Sequence, residues 1–156
     1  MVKNMKLRKY IENDCEKLMK LFYDTVHSVN AKDYTEEQLY AWANGKYDFE
    51  KRNRQFLNTH TVVAVDENVI VGFGNIDESG YLDMLYVHKD FQKRGTATLI
   101  CNELESFCKS DKITSHASIT AKPFFLKRGY GEVKEQTVER NGVYLKNFVM
   151  VKVRKI

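Results

Sequence analysis

The stretch Leu82-Asp83-Met84-Leu85-Tyr86-Val87-His88-Lys89-Asp90-Phe91-Gln92-Lys93-Arg94-Gly95-Thr96-Ala97-Thr98 constrains this chain more than any other. It opens as an apolar strand, passes through a short charged turn and becomes the start of a helix. The turn delivers two cationic residues and a glycine at the point where the first amides of a helix lack intrahelical partners. Backbone donors there, reinforced by the helix dipole and by Lys or Arg, form an anion site. A diphosphate is the anion that suits this geometry best.

The rest of the chain is large enough to serve such a site. Its 156 residues, 43% hydrophobic and 29% charged, fit one globular domain spanning residues 1–156. The net charge of +4 favours anionic ligands, but the charges are interspersed and no basic run marks a nucleic-acid arm. No Walker pattern and no His or Cys spacing suited to a metal is present, so neither nucleotide hydrolysis nor a metal is expected. Cys15, Cys101 and Cys108 form no CxxC pair, which suggests reduced thiols. The N-terminus lacks the apolar core of a signal sequence, and no apolar run is long enough to cross a membrane. A cytoplasmic location without membrane contact is the expectation.

Taken in order, Val2 to Tyr10 reads as an edge strand, and Asn13 with Glu16 as a capping box opening a helix that runs to about His27. Thr35 and Gln38 form a second box, ahead of a helix ended by Asn44-Gly45. A third helix spans Asp48 to Leu57. Thr61–Val65, Val69–Gly74 and Tyr81–Val87 then form three strands joined by short polar turns, an antiparallel meander. The helix after Gly95 places Ala97, Ile100, Cys101, Leu104, Phe107 and Cys108 on one face. Lys112 to Ile119 follows as a strand parallel to Tyr81–Val87. Lys122–Lys127 is a short helix. Gly131–Val138 and Val143–Val153 close a hairpin over Asn141-Gly142. The expected fold class is α+β: a central mixed, mostly antiparallel twisted sheet with helices on both faces.

Gln92-Lys93-Arg94-Gly95-Thr96-Ala97, after a strand ending Leu85-Tyr86-Val87, resembles motif A of the GNAT superfamily of acyl-CoA N-acyltransferases. Ala121-Lys122-Pro123-Phe124-Phe125-Leu126-Lys127-Arg128-Gly129-Tyr130 resembles its motif B. Both motifs, in order and with the element order derived above, cover nearly the whole chain. The resemblance implies acetyl-CoA as cosubstrate and two central parallel strands that splay to admit its arm. It assigns backbone groups of Leu85 and Val87, flanking Tyr86, to the pantetheine. Gln92 opens the diphosphate loop, and the amides from Lys93 through Arg94, Gly95, Thr96 and Ala97 to Thr98 bind the diphosphate. Lys93 and Arg94 have a second reading as a solvated turn. Ser118 stands where many relatives carry an Asn that bonds the arm. Phe125 stands where relatives carry a tyrosine general acid, and phenylalanine has no proton to give.

The implied chemistry needs a base, because most amines are protonated at neutral pH, and donors for a transient oxyanion. In relatives the base is frequently a carboxylate on the strand that carries Leu85. Asp83, two residues before Leu85, shares its face by strand alternation and is the first candidate, with an ion pair as the competing reading. Tyr81 shares that face, whereas Tyr86 points to the other. His27, in the region that lines the acceptor pocket of the family, could bind or deprotonate the amine, or simply complement a helix C-terminus. Among the aromatics, Trp42 is expected in the core, with Tyr23 or Tyr40 nearer the pocket. His60, His88 and His116 are expected in surface or turn positions. Two functions follow: acetyl transfer to a primary amine of a small molecule or peptide by direct attack, or an acyl-CoA-binding regulatory domain without catalysis. Monomer and homodimer both remain open.

Overall fold

The structure, a computed structural model, describes residues 4–155. In chain order the elements are β1 (Met5–Lys9), α1 (Cys15–Ser28), α2 (Glu36–Trp42), α3 (Phe49–Leu57), β2 (His60–Asp66), β3 (Val69–Ile76) and β4 (Leu82–Val87). They continue with α4 (Thr96–Phe107), β5 (Lys112–Ser118), α5 (Lys122–Lys127), β6 (Gly131–Arg140) and β7 (Val143–Val153). Of the N-terminal strand expected from Val2, residues 2 and 3 lie outside the described residues.

Strands β1 to β4 pair antiparallel in sequence order, and β5, β7 and β6 form a second antiparallel sheet. The two sheets meet where Tyr81 bridges Thr114 in parallel. There the Thr114 amide donates to the Gly80 carbonyl at 2.9 Å, and Ser115 Oγ donates to the Leu82 carbonyl at 3.0 Å. Beyond this joint β4 and β5 part, leaving a wedge between them.

Strand periodicity builds a core on each side of the first sheet. Val62 and Ala64 face one way, against Ile100, Leu104 and Cys101 of α4. Val63 and Phe73 face the other, against Leu18 and Phe22 of α1 and Phe56 of α3. Helix α4 lies directly on β3 because that strand carries Gly72 and Gly74. A Cβ on Gly74 would come within 2.9 Å of Ile100 Cγ2 and 3.0 Å of the Met84 carbonyl. The β6–β7 hairpin turns on Asn141 and Gly142 at φ +50° and +80°, the two positive angles that a tight hairpin of this hand requires.

Two local expectations need correction. Asn13 does not cap α1. Glu12–Asp14 instead forms a 3₁₀ turn, and the Asp14 carboxylate turns back to accept from the Ile11 amide at 3.0 Å and from Arg8 at 2.8 and 2.9 Å. Phe107 is 50% exposed because α4 is running past the sheet at its end, and its ring stacks on His60 at 3.8 Å. The buried position at that end of the helix belongs to Glu105, 7% exposed.

Candidate active site

The wedge leaves one edge of β4 without a strand partner. Tyr86 pairs with Phe73, and the His88 amide donates to the Val71 carbonyl, so even-numbered residues of this stretch direct their backbone groups toward β3. Leu85 and Val87 therefore direct theirs into the wedge. The Val87 carbonyl is not available to a ligand as expected: Gln92 Nε2 donates to it at 2.6 Å and Thr25 Oγ1 at 3.2 Å. Gln92 thus ties the following loop to the strand end. What remains open is the Val87 amide and both backbone groups of Leu85.

The loop then delivers its amides. Lys93 (φ +60°) and Gly95 (φ +83°) both sit in the left-handed region, and Gly95 is the N-cap of α4. A glycine takes that angle without a Cβ penalty. Two left-handed residues bracketing Arg94 turn successive N–H groups inward, the geometry of an anion nest. Among the described residues, the amides from Lys93 through Thr96 and Ala97 to Thr98 meet no acceptor. The Thr96 hydroxyl is buried there without a partner, an unmet donor of the kind a phosphate oxygen satisfies. Arg94 lies over the Phe91 ring at 5.0 Å, and both it and Lys93 are exposed.

Ser118 stands on the opposing strand, where its Oγ accepts from the Ala121 amide at 3.0 Å and from Asn30 Nδ2 at 3.4 Å. Its hydroxyl proton is left to donate into the cleft that it borders. Tyr34 closes the floor of the wedge by donating to the Lys146 carbonyl (2.7 Å) and accepting from the Ile119 amide (2.9 Å). Phe125, assigned to the cofactor by its motif position, is 2% exposed and packs against Phe124 and Tyr130 in the α4-side core. It has no surface to offer a ligand. The Tyr130 hydroxyl is committed to Glu105 at 2.8 Å.

Beside the joint of the two sheets lies a cleft of about 350 Å³. Asp83 and Tyr81 open into it, but not by simple alternation. Asn75 pairs with Met84 and Ile76 with Leu82, so Asp83 is the extra residue of a β-bulge. The bulge turns Asp83 to the side of Met84 and Tyr86, away from Leu85, which packs against the α4-side core. Tyr86, expected on the face opposite Asp83, consequently borders the same cleft.

Burial pushes the Asp83 carboxyl above the ordinary carboxylate range, and Asp77 adds to the effect. Arg52, His116 and Arg140 oppose it from a distance. The carboxylate is reachable by water yet crowded by the walls, and it joins no ion pair among the described residues. Burial and the Asp83 charge hold the Tyr81 hydroxyl protonated well above neutrality. Burial, with Arg140 and Lys134, depresses His116 against the pull of Asp83, so its imidazole is neutral at pH 7. Its ring lies 5.2 Å from that of Tyr81. His116 is exposed, as the surface reading expects, and its place on β5 also makes it part of the cleft wall.

His27 does not border this cleft. Its Nε2 lies 2.7 Å from the Ala43 carbonyl, and its ring sits between Tyr23 (4.1 Å) and Tyr40 (4.3 Å), clamping the end of α1 to the end of α2. Trp42 packs against the α1-side core as expected, but Tyr23 and Tyr40 are not the aromatics nearest the cleft. Tyr23 and Tyr40 close around His27, and Trp42 borders the cleft, edge-on to Tyr34. Arg52 and Arg140 also face it, from α3 and from the hairpin.

Known proteins share this fold. Residues 30–152 match the acetyltransferase (GNAT) domain family. The chain is 34% identical over 148 residues to the uncharacterized N-acetyltransferase YafP of Escherichia coli, covering 94% of this chain and 95% of that one. A crystal structure of a GCN5-related N-acetyltransferase from Rhodopseudomonas palustris superposes with a TM-score of 0.92 at 33% identity, covering 97% and 96% of the two chains. The PaiA N-acetyltransferase of Thermoplasma acidophilum, solved in complex with coenzyme A, shares the fold at a TM-score of 0.75 and 19% identity, over 96% and 98%. Sequence, fold and wedge agree: the chain belongs to the GNAT family of N-acetyltransferases and is an acyltransferase.

Proposed function

We propose that this acyltransferase, as one domain over residues 1–156, moves the acetyl group of acetyl-CoA to the primary amine of a small molecule or peptide by direct attack. The carrying observation is Asp83: an unpaired carboxylate, raised in pKa, on the bulge two residues before the open edge at Leu85. Acetyl-CoA, when bound, supplies an acyl group activated as a thioester. The amides of residues 93 to 98, the Thr96 hydroxyl and the charges of Lys93 and Arg94 suit its diphosphate. The open backbone groups of Leu85 and the Val87 amide suit its arm, and the Ser118 hydroxyl faces them from β5. That the PaiA fold relative was solved in complex with coenzyme A supports this choice of cosubstrate.

Asp83 accepts the proton that an ammonium must lose before it attacks. A carboxylate whose pKa is raised by burial holds that proton better than an ordinary carboxylate does. Tyr81 and neutral His116 flank it and suit a water-mediated relay. A backbone amide at the open edge suits the thioester oxygen. Collapse of the adduct breaks the C–S bond and releases coenzyme A as a thiolate that takes its proton from water, since Phe125 has none to give and the Tyr130 hydroxyl is held by Glu105. Three free, buried cysteines fit a reducing, cytoplasmic setting.

Two measurements test the proposal. Acetyl-CoA at a hundredfold excess over its Kd should stabilise the fold by about 2.7 kcal/mol in a melting experiment. Thiol release over a panel of amines then separates transfer from binding alone. A fold unmoved by millimolar acetyl-CoA would end the proposal, and binding without thiol release from any amine would leave only a regulatory domain.

A further inference from the structure

The acceptor cleft carries more positive charge than the transfer of an acetyl group requires. Lys46, Arg52, Arg140 and Lys146 border it against a single carboxylate, Asp83, a formal excess of three with His116 neutral. Lys146 is partnered by Glu135 at 3.5 Å. The two guanidinia are not so engaged. Arg52 reaches only Gln55 Oε1, at 3.4 Å on its own helix, and Arg140 donates only to the carbonyl of its neighbour Glu139, at 3.0 Å. Neither forms an ion pair among the described residues. They come from α3 and from the β6–β7 hairpin, elements far apart in sequence, yet they converge on the cleft that holds Asp83. Aromatic walls from Phe22, Trp42 and Tyr86 complete it.

An arginine side chain stays charged at any pH the protein experiences, and its planar fork matches an oxyanion in two parallel hydrogen bonds. An amine, by contrast, arrives as an ammonium and is repelled by a surplus of cations. A molecule that carries its own anion removes that repulsion and engages the free guanidinia. A polyamine adds further positive charge and brings nothing for them to bind, which discriminates against it.

We propose, building on the acetyltransferase reading of this site, that the acceptor is a zwitterionic amine. Its oxyanion is held by Arg52 and Arg140, its amine faces Asp83, and an apolar or aromatic body lies against Phe22, Trp42 and Tyr86. Arg52 and Arg140 are then specificity-determining residues, and amino acids and amino-bearing phosphates share the chemistry that they recognise.

Trp42 is the one tryptophan in the chain and borders the cleft, so its fluorescence reports occupancy independently of turnover. The probes are L-leucine and L-phenylalanine, each paired with its decarboxylated amine (3-methylbutylamine, 2-phenylethylamine), with O-phosphoethanolamine and spermidine, titrated in the presence of coenzyme A. Each amino acid should bind about tenfold or more tighter than its decarboxylated partner, and spermidine should bind weakest. Substituting both arginines (Arg52→Gln with Arg140→Gln) should abolish the preference, while Arg140→Lys keeps part of it. Tighter binding of O-phosphoethanolamine than of either amino acid makes the oxyanion a phosphate, still within the proposal. Three outcomes overturn it: equal or tighter binding of the decarboxylated amines or spermidine, no saturable response to any anion-bearing amine, or a preference that survives in the double variant. Acetylation of spermidine without binding of amino acids would leave acetyl transfer standing and remove this inference. Selective binding of amino acids with no thiol release would do the reverse.

Discussion

Asp83 and Glu105 are both carboxylates in crowded surroundings, and the fold treats them in opposite ways. Glu105 sits on the buried face of α4, where Arg128 Nε donates at 2.7 Å, Lys152 Nζ at 3.0 Å and the Tyr130 hydroxyl at 2.8 Å. Burial alone would raise its pKa, but these donors hold it below the usual carboxylate range. Asp83, which water still reaches, is crowded by the cleft walls with no donor in contact, and its pKa rises. One carboxylate is saturated and ties α4 to the end of α5 and to β7. The other is left free to take a proton. The chemical group is the same, so the difference in function lies in the partners and in the access of water.

The largest effect should come from removing the free one. Asp83→Asn keeps the shape and deletes the base, so kcat/KM at neutral pH should fall by about 10²–10⁴-fold, the usual contribution of such a group. The wild-type rate should rise with pH through a pKa above the ordinary carboxylate range, and the variant should lose that limb. Acetyl-CoA affinity should stay unchanged. Equal pH–rate profiles for the two proteins would remove Asp83 from the chemistry.

Next comes the saturated one. Glu105→Ala leaves Arg128 and Lys152 (side chains 13% and 25% exposed) without their counter-charge. Breaking a buried pair by removing one partner costs about 3–5 kcal/mol. Urea denaturation should show this loss, and the surviving folded protein should still transfer acetyl groups. A cost below about 1 kcal/mol would mean that the Glu105 network is ornamental and the comparison false.

Much of this architecture is legible in the sequence because it rests on local rules. The Thr35–Gln38 box forms with both reciprocal bonds, at 2.9 and 3.2 Å, and Asn141-Gly142 takes the two positive φ angles of its turn. The period of α4 marks Ile100, Cys101 and Leu104 correctly as core. What escapes is whatever depends on two distant segments at once. Alternation assigns Asp83 to the face of Leu85, and only the pairing with β3 reveals the bulge that turns it. Glu105 reads as an ordinary helix residue until Arg128 and Lys152 arrive from later elements. Arg52 and Arg140 have no local signature at all. His116 did have a signal: it lies two residues before Ser118 on one strand, so the alternation that places Ser118 at the cleft places His116 there too. His27 stands in the last turn of its helix, as the C-terminal reading expects, but its partner in space, the Ala43 carbonyl, is invisible in the pattern of that helix.

A smaller effect tests whether the saturated side also positions the cofactor loop. Gly74 lies under α4, and a methyl there would press on Ile100 Cγ2 at 2.9 Å and on the rigid Met84 carbonyl at 3.0 Å. Overpacking of this kind costs about 1–3 kcal/mol. Gly74→Ala should therefore lower the melting temperature and, by lifting α4 with its N-terminal amides, weaken acetyl-CoA binding. The pH limb assigned to Asp83 should persist, because the carboxyl that carries it is untouched by the substitution. Weakened stability with unchanged acetyl-CoA affinity would show that the loop is set by Gln92 and Gly95 alone.

The smallest effect is the most discriminating, because the two carboxylates give pH dependences of opposite sign. In the folded protein Glu105 loses its proton at a lower pH than in the unfolded chain. The stability that it contributes is present above its ordinary value of 4.5 and is lost as pH falls through the window beneath it. Asp83 keeps its proton to a higher pH folded than unfolded. Across the window above its ordinary value of 3.8 the native state binds more protons, and stability declines as pH rises. Asp83→Asn should thus be more stable than wild type at pH 7 and level with it in acid. The difference is on the order of a few tenths of a kcal/mol, since water still reaches the carboxylate and screens it. Urea titrations of the two proteins from below the ordinary Asp value of 3.8 up to pH 7 resolve that sign. A variant less stable than wild type at neutral pH would mean that ionised Asp83 has a partner in solution, and the contrast with Glu105 would disappear.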